Sequence, residues 1–207
     1  MLRNTEAGSD SPYTECTQIF NNCFVIAGNK TVYTIARNVV MHEVALMLNI
    51  YRACPDASTI IQSSRYQAMR LSKRHGCTNT YDHSIRVAEL ALMFSTVFFC
   101  DRIKAIHAAL LHDMADSEER KSFGEKCHYM MLHPQEAAVN AARLYGMGDE
   151  ECAAIRTHMF PLSSSMPHGR IALSVILADK FVSIYEVSIM HLMLQARMVR
   201  VSHVRGR

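Results

Sequence analysis

The run Ala108-Ala-Leu-Leu-His-Asp-Met114 constrains this chain more than any other stretch. A helix-forming apolar run from Ile103 to Leu111 ends in a histidine followed directly by an aspartate. Neither residue gains anything at the end of a buried helix unless a partner waits there. An unpaired buried carboxylate costs several kcal/mol. A divalent metal is one such partner, since it takes neutral imidazole and ionised carboxylate together. Taken alone the pair decides nothing, because helix C-termini favour histidine and an aspartate can simply open the next loop.

Composition narrows the class. The 207 residues are 49% hydrophobic and 20% charged, which describes one globular domain with short extensions. A net charge of +3 is too small to argue for nucleic acid or an anionic membrane. The seven cysteines are an odd number and form no C-x-x-C pair, a pattern that suits reduced, buried thiols rather than a disulfide framework. There is no basic-then-apolar leader, and apolar stretches such as Ile171 to Ala178 fall far short of a membrane span. These features predict a cytoplasmic location.

The periodicity predicts an all-α chain. Residues 1–15 read as a loose polar tail, and 17–36 as either a hairpin around Ala27-Gly-Asn-Lys30 or an irregular lead-in. A helix over Val39 to Tyr51 meets Pro55, and Ser58 is positioned to cap a helix through Leu71, closed by Gly76. From Tyr81 to Phe99 one stripe carries His83, Val87, Leu90, Phe94 and Val97. Asp101 caps the helix that runs into His112-Asp113, and 115–127 reads as a loop or broken helix. His133-Pro134 reads as a helix opening, with Gly146 as its stop; Asp149 caps a shorter helix through His158, halted by Pro161. The last helix, Arg170 to about Met193, is apolar nearly all round in its first half and so predicted buried, with Asp179 inside it.

Five segments thus each offer a metal-type ligand: His83, His112-Asp113, His133, His158 and Asp179. The stretches His83-Ser-Ile-Arg-Val-Ala-Glu-Leu-Ala91, Ala109-Leu-Leu-His-Asp113 and Ala178-Asp179, in that order, resemble the HD superfamily of metal-dependent phosphohydrolases. The resemblance covers roughly residues 70 to 190 and implies a single-domain helical bundle. By composition and periodicity the chain divides into an N-terminal extension over 1–36, partly flexible, a domain over 37–195 and a basic tail over 196–207. The resemblance further implies that His83, His112, Asp113 and Asp179 hold one metal. His133, followed by Pro134, and His158 resemble the extra pair of two-metal members, with Asp113 as the bridge. Arg74-His-Gly76 and His158-Met-Phe-Pro-Leu162 are similar to a small bacterial-type branch.

The residue chemistry agrees. Four histidines and two aspartates suit Mn, Fe, Zn or Co, with no thiolate to demand zinc. Two such ions can clamp the oxygens of a phosphate ester and activate water. With neither a G-x-S-x-G elbow nor a P-loop in the sequence, metal-activated water is the expected nucleophile. The expected substrate is a small phosphorylated molecule, a nucleotide by preference, bound as a phosphomonoester or phosphodiester. Arg86, one turn from His83, and Lys180, beside Asp179, are candidate phosphate contacts next to Asp113, each with a bland reading as a paired or edge cation. His75 is placed either at the mouth of the site or in its loop. His42, His107, His128, His168, His191 and His203 match no motif and read as structural. Two rival functions remain: a di-iron oxygenase built on the same six ligands, and a non-catalytic metal-binding sensor. Finally, His133 at one helix start and His158 at the next helix end are expected to meet only through packing against the His112-Asp113 helix.

Overall fold

A computed structural model describes residues 47–72, 78–115, 123–162 and 165–205, with backbone alone at 123–127 and 189–205. All of them belong to one compact unit, Met47–Arg207. The polar tail, the proposed hairpin, the first part of the 39–51 helix, His42, Gly76 and His75 lie outside the described residues. A helical segment over 47–53 leads to α1 (Ala57–Gln62), α2 (Ser64–Gln67) and a 3₁₀ turn, Ala68–Leu71. Then follow α3 (Thr80–Val97), α4 (Arg102–Leu111), α5 (Phe123–Tyr145), α6 (Asp149–Thr157) and α7 (Gly169–Arg205). No strand occurs among the described residues, so the described unit is all-α.

The centre of the unit is α4. Every residue from Ala105 to Met114 is buried, and α1, α3, α5, α6 and α7 all pack against this one helix. Its alanines, Ala105, Ala108 and Ala109, let neighbouring backbones approach, while Ile106, Leu110 and Leu111 fill the gaps between them. Full burial of each of those three is worth roughly 1.5–3 kcal/mol. The predicted cap holds: Asp101 Oδ1 accepts from the backbone N–H groups of Ile103 (2.9 Å) and Lys104 (3.1 Å).

Several boundaries differ from the sequence reading, each for a local reason. Ser58 is not a cap. It lies inside α1, its hydroxyl bonded to the Pro55 carbonyl, and the helical run breaks at Ser63, whose side chain caps α2 through the Tyr66 N–H. Helix α3 is capped by Asn79, and its buried side runs through Ser84, Ala88, Ala91 and Ser95, leaving Val97 exposed at 63%. The helix stops at Val97 rather than Phe99. Phe99 takes the left-handed φ of 52° at the position where glycine is usual, and the Cys100 N–H returns to the Ser95 carbonyl. Gly146 plays the same part after α5, with φ 66° and the Met147 N–H on the Ala141 carbonyl. Asp149 sits in the first turn of α6 behind an N-cap Gly148, where with Glu150 and Glu151 it complements the helix dipole instead of capping.

Two corrections are larger. His133-Pro134 does not open a helix: α5 begins ten residues earlier, at Phe123, and Pro134 lies within it. The proline forfeits one backbone hydrogen bond to Met130, and packing along α4 and α6 carries the helix through. Helix α7 runs to Arg205, because no glycine or proline interrupts it after Gly169 until Gly206. Its burial is a stripe rather than a sleeve. Ala172, Val175, Asp179, Val182 and Glu186 face inward, whereas Leu173 and Phe181 stay exposed although the first half is apolar.

Candidate metal centre

Four elements bring their histidines to one point beside the end of α4. His112 follows the last residue of α4, and His158 follows the last residue of α6. The final carbonyls of a helix have no partner within it, and both rings turn back onto one of them. His112 Nδ1 donates to the Ala109 carbonyl (2.7 Å) and His158 Nδ1 to the Ile155 carbonyl (2.8 Å). His133, within α5, donates from Nδ1 to the Tyr129 carbonyl at 3.0 Å, one turn back, and stacks on the Tyr129 ring. His83, in the first turn of α3, directs Nδ1 to Glu186 Oε2 at 3.0 Å on α7. A carbonyl oxygen can only accept, so at least three of the four rings carry their proton on Nδ1. Their Nε2 lone pairs then point the other way, into the centre.

Asp113 lies where those lone pairs meet. Its Oδ2 is 3.3 Å from His112 Nε2 and 3.9 Å from His83 Nε2. Its Oδ1 is 3.3 Å from His133 Nε2 and 3.5 Å from His158 Nε2. One carboxylate therefore presents a separate oxygen to each histidine pair. Asp179 joins the first pair, with Oδ1 3.2 Å from His83 Nε2 and 3.8 Å from His112 Nε2. All six residues are buried. Buried Asn140 of α5 holds the Met114 carbonyl (3.0 Å) and so fixes the turn that carries Asp113.

The electrostatics favour a cation. Burial, reinforced by the neighbouring His133, pulls the His158 imidazole down to about 3, so it stays neutral at ordinary pH. Its Nε2 stands 3.1 Å from that of His133. Burial alone would raise Asp179, yet the hydrogen bond with His83 and the nearby Lys180 charge hold it well below the usual carboxylate range. Imidazole nitrogens and carboxylate oxygens converging at a buried point are what a divalent metal requires. The residues fit the group. They form two overlapping sets, His83, His112 and Asp113, and Asp113, His133 and His158.

The six ligand-type residues proposed from sequence thus come together, but the two cations have different positions. Arg86 Nη1 is committed to Glu186 Oε1 at 3.0 Å, the carboxylate whose other oxygen holds His83. That contact sets Arg86 behind the metal-facing histidine. Lys180 stands at the rim, donating to Asp179 Oδ2 (2.8 Å) and to the His158 carbonyl (3.2 Å), with 35% of its side chain exposed. Glu186 is the residue that sequence reasoning missed. Its signal was available: it lies seven residues after Asp179, two turns along the same face of a helix. Burial alone would raise its carboxyl, but the bonds from His83 and Arg86 keep it below its ordinary value. His107, which matched no motif, joins Cys54 and Asp56 in a separate cluster.

The model of the HD domain family matches residues 80–184, about half of the chain, and contains all six converging ligands. No curated protein and no solved structure matches the chain. The chain belongs to the HD domain family, whose fold is all-α and whose members are typically metal-dependent phosphohydrolases. No described helix is long and apolar enough to cross a membrane.

Proposed function

We propose that this protein is a hydrolase of small phosphate esters, a nucleotide monoester or diester by preference, working with two divalent transition-metal ions. The observation that carries the reading is the division of Asp113, with Oδ1 toward His133 and His158 and Oδ2 toward His83 and His112. A carboxylate shared in this way suits a pair of ions, with His83, His112 and Asp179 completing one set and His133 and His158 the other. When bound, such ions supply Lewis acidity toward a phosphoryl oxygen and a water activated near neutral pH. The protein's own residues supply the rest. Asp179, held below the usual carboxylate range, balances positive charge. Glu186 fixes the ring of His83. Lys180, anchored by two of its three donors, retains one for an anionic substrate entering at the rim. A cytoplasmic location fits the reduced thiols of this reading.

The test is phosphate release from an aryl phosphate and from a panel of nucleoside monophosphates and cyclic nucleotides, using Mn-loaded protein. Asp113→Asn is the control; it should abolish release and lower metal content while circular dichroism stays helical. Substrate loss that requires oxygen and releases no phosphate would overturn the hydrolase in favour of a di-iron oxygenase. Metal uptake with no turnover across the panel would leave a metal-binding sensor.

A further inference from the structure

His107 precedes His112 by five residues on α4. That spacing puts it about 140° round the helix and about 7.5 Å along it, on a different side from the centre just described. There it meets two residues that lie before the segment matched by the family, Cys54 and Asp56, at the entry to α1. His107 Nε2 is 3.3 Å from Cys54 Sγ and 3.0 Å from Asp56 Oδ2, and Cys54 Sγ is 3.0 Å from Asp56 Oδ1. Cys54 and His107 are buried while the Asp56 side chain is 64% exposed. The cluster is therefore closed on the protein side and open on one.

We propose that Cys54, Asp56 and His107 form a second metal site, of the kind that takes zinc, independent of the HD centre. Three features carry it. The first is the donor set: a thiolate, an imidazole and a carboxylate are zinc ligands, whereas the HD centre offers no sulfur. The second is the spacing. A zinc tetrahedron with Zn–S near 2.3 Å and Zn–N or Zn–O near 2.0–2.1 Å has edges of about 3.3–3.6 Å. The thiol–imidazole separation of 3.3 Å is at the lower edge of that range, while the Asp56 carboxylate spans the pair with Oδ1 3.0 Å from Cys54 and Oδ2 3.0 Å from His107, so on metal entry one of its oxygens turns inward to complete the triangle. The third is the group behind the imidazole. His107 Nδ1 faces buried Glu151 Oε1 at 3.8 Å. A carboxylate on the far nitrogen is the usual companion of a metal-bound histidine; Glu151, outside hydrogen-bond reach at this distance, would have to close on Nδ1 to hold the proton there and leave Nε2 to the metal. The fourth position would be water, since the exposed Asp56 side opens to solvent. A hydrogen-bonded network without metal is the competing account. It needs the thiol to keep its proton, and burial with the bond to Asp56 does push the free Cys54 thiol up to about 12. Metal entry would displace that proton to the buffer. The consequence for the fold is a tie between the α1 entry and the middle of α4, the helix whose end carries His112 and Asp113.

Cobalt(II) is the probe, because only a thiolate ligand produces the near-ultraviolet sulfur-to-cobalt charge-transfer band, and the HD ligands contain none. Full-length reduced protein titrated with cobalt(II) should develop this band. Asp113→Asn should leave it in place, and Cys54→Ser should abolish it. Asp56→Asn, at an exposed position that folding tolerates, should weaken cobalt binding at the band roughly tenfold or more, the least expected when even an outer carboxylate is worth 10–100-fold. A folded wild-type protein with no band overturns the site, as does a band that survives Cys54→Ser. If Cys54→Ser does not fold, an Asp56→Asn titration identical to wild type overturns it as well.

Discussion

Glu186 offers the sharpest test of how the metal centre is held. Its two oxygens serve two donors, Oε2 taking His83 Nδ1 and Oε1 taking Arg86 Nη1, each at 3.0 Å. In Glu186→Gln the side chain keeps its shape but has one acceptor and one NH₂ group. If the amide oxygen faces His83, the NH₂ meets Arg86 donor to donor; turned over, it meets the Nδ1–H of His83. Arg86 retains 22% side-chain exposure and can turn to water, so the oxygen should go to His83. What is then lost is the negative charge behind the imidazole, which had strengthened Nε2 as a ligand. Changes of this type cost 10–100-fold in metal affinity, or about 1.4–2.7 kcal/mol. Glu186→Ala should do worse, because it leaves the buried Nδ1–H with no acceptor, adding roughly 1–3 kcal/mol of instability. Chelator competition with Mn or Zn measures the first effect and urea denaturation the second. A Glu186→Gln protein whose metal Kd matches wild type would refute the orienting role.

Three further outcomes are expected. His133→Ala and His158→Ala should each hold one metal fewer per chain than wild type by elemental analysis, because Asp113 Oδ1 would lose half of its histidine pair; equal values in all three proteins would argue for a single ion. Phe99→Gly should stabilise the fold by about 1 kcal/mol, since Phe99 sits at φ 52° with its side chain 85% exposed. That corresponds to a rise of about 2–4 °C in Tm for a chain of this size. Tyr81 gives a pH signature. Burial pushes its phenol up to about 12 despite Arg70, whose guanidinium stacks 3.7 Å from the ring centre. A raised acid favours folding below its unfolded value of 10.0 and loses that advantage as pH climbs toward the folded value. Stability should therefore fall by about 1.4 kcal/mol per pH unit between pH 10 and 12 on account of this residue, and Tyr81→Phe should remove that part of the slope in denaturant titrations.

Much of this molecule was legible in the linear sequence. The apolar period marked α3, α4 and α7; Asp101 and Gly146 act locally, through a side-chain cap and a left-handed φ, and so mark boundaries without reference to the rest of the fold. The order His83, His112-Asp113, Asp179 is likewise local, each pair or single residue set in a recognisable helical context. Three things were decided only by tertiary packing. Pro134 reads as a helix start because an interior proline costs roughly 3 kcal/mol in an isolated helix; only packing of α5 along its neighbours overrides that cost. The meeting of His133 with His158 was expected to depend on α4, but the α5–α6 hairpin is matched for it. Twelve residues back from Tyr145 and nine forward from Asp149 are about 18 Å and 14 Å of antiparallel helix, which nearly levels the two rings. Glu186 and Arg86 pair across 100 residues, and Cys54 meets His107 across 53. Side chains that far apart in sequence leave no local trace of one another, because their attraction exists only after the helices between them have already packed.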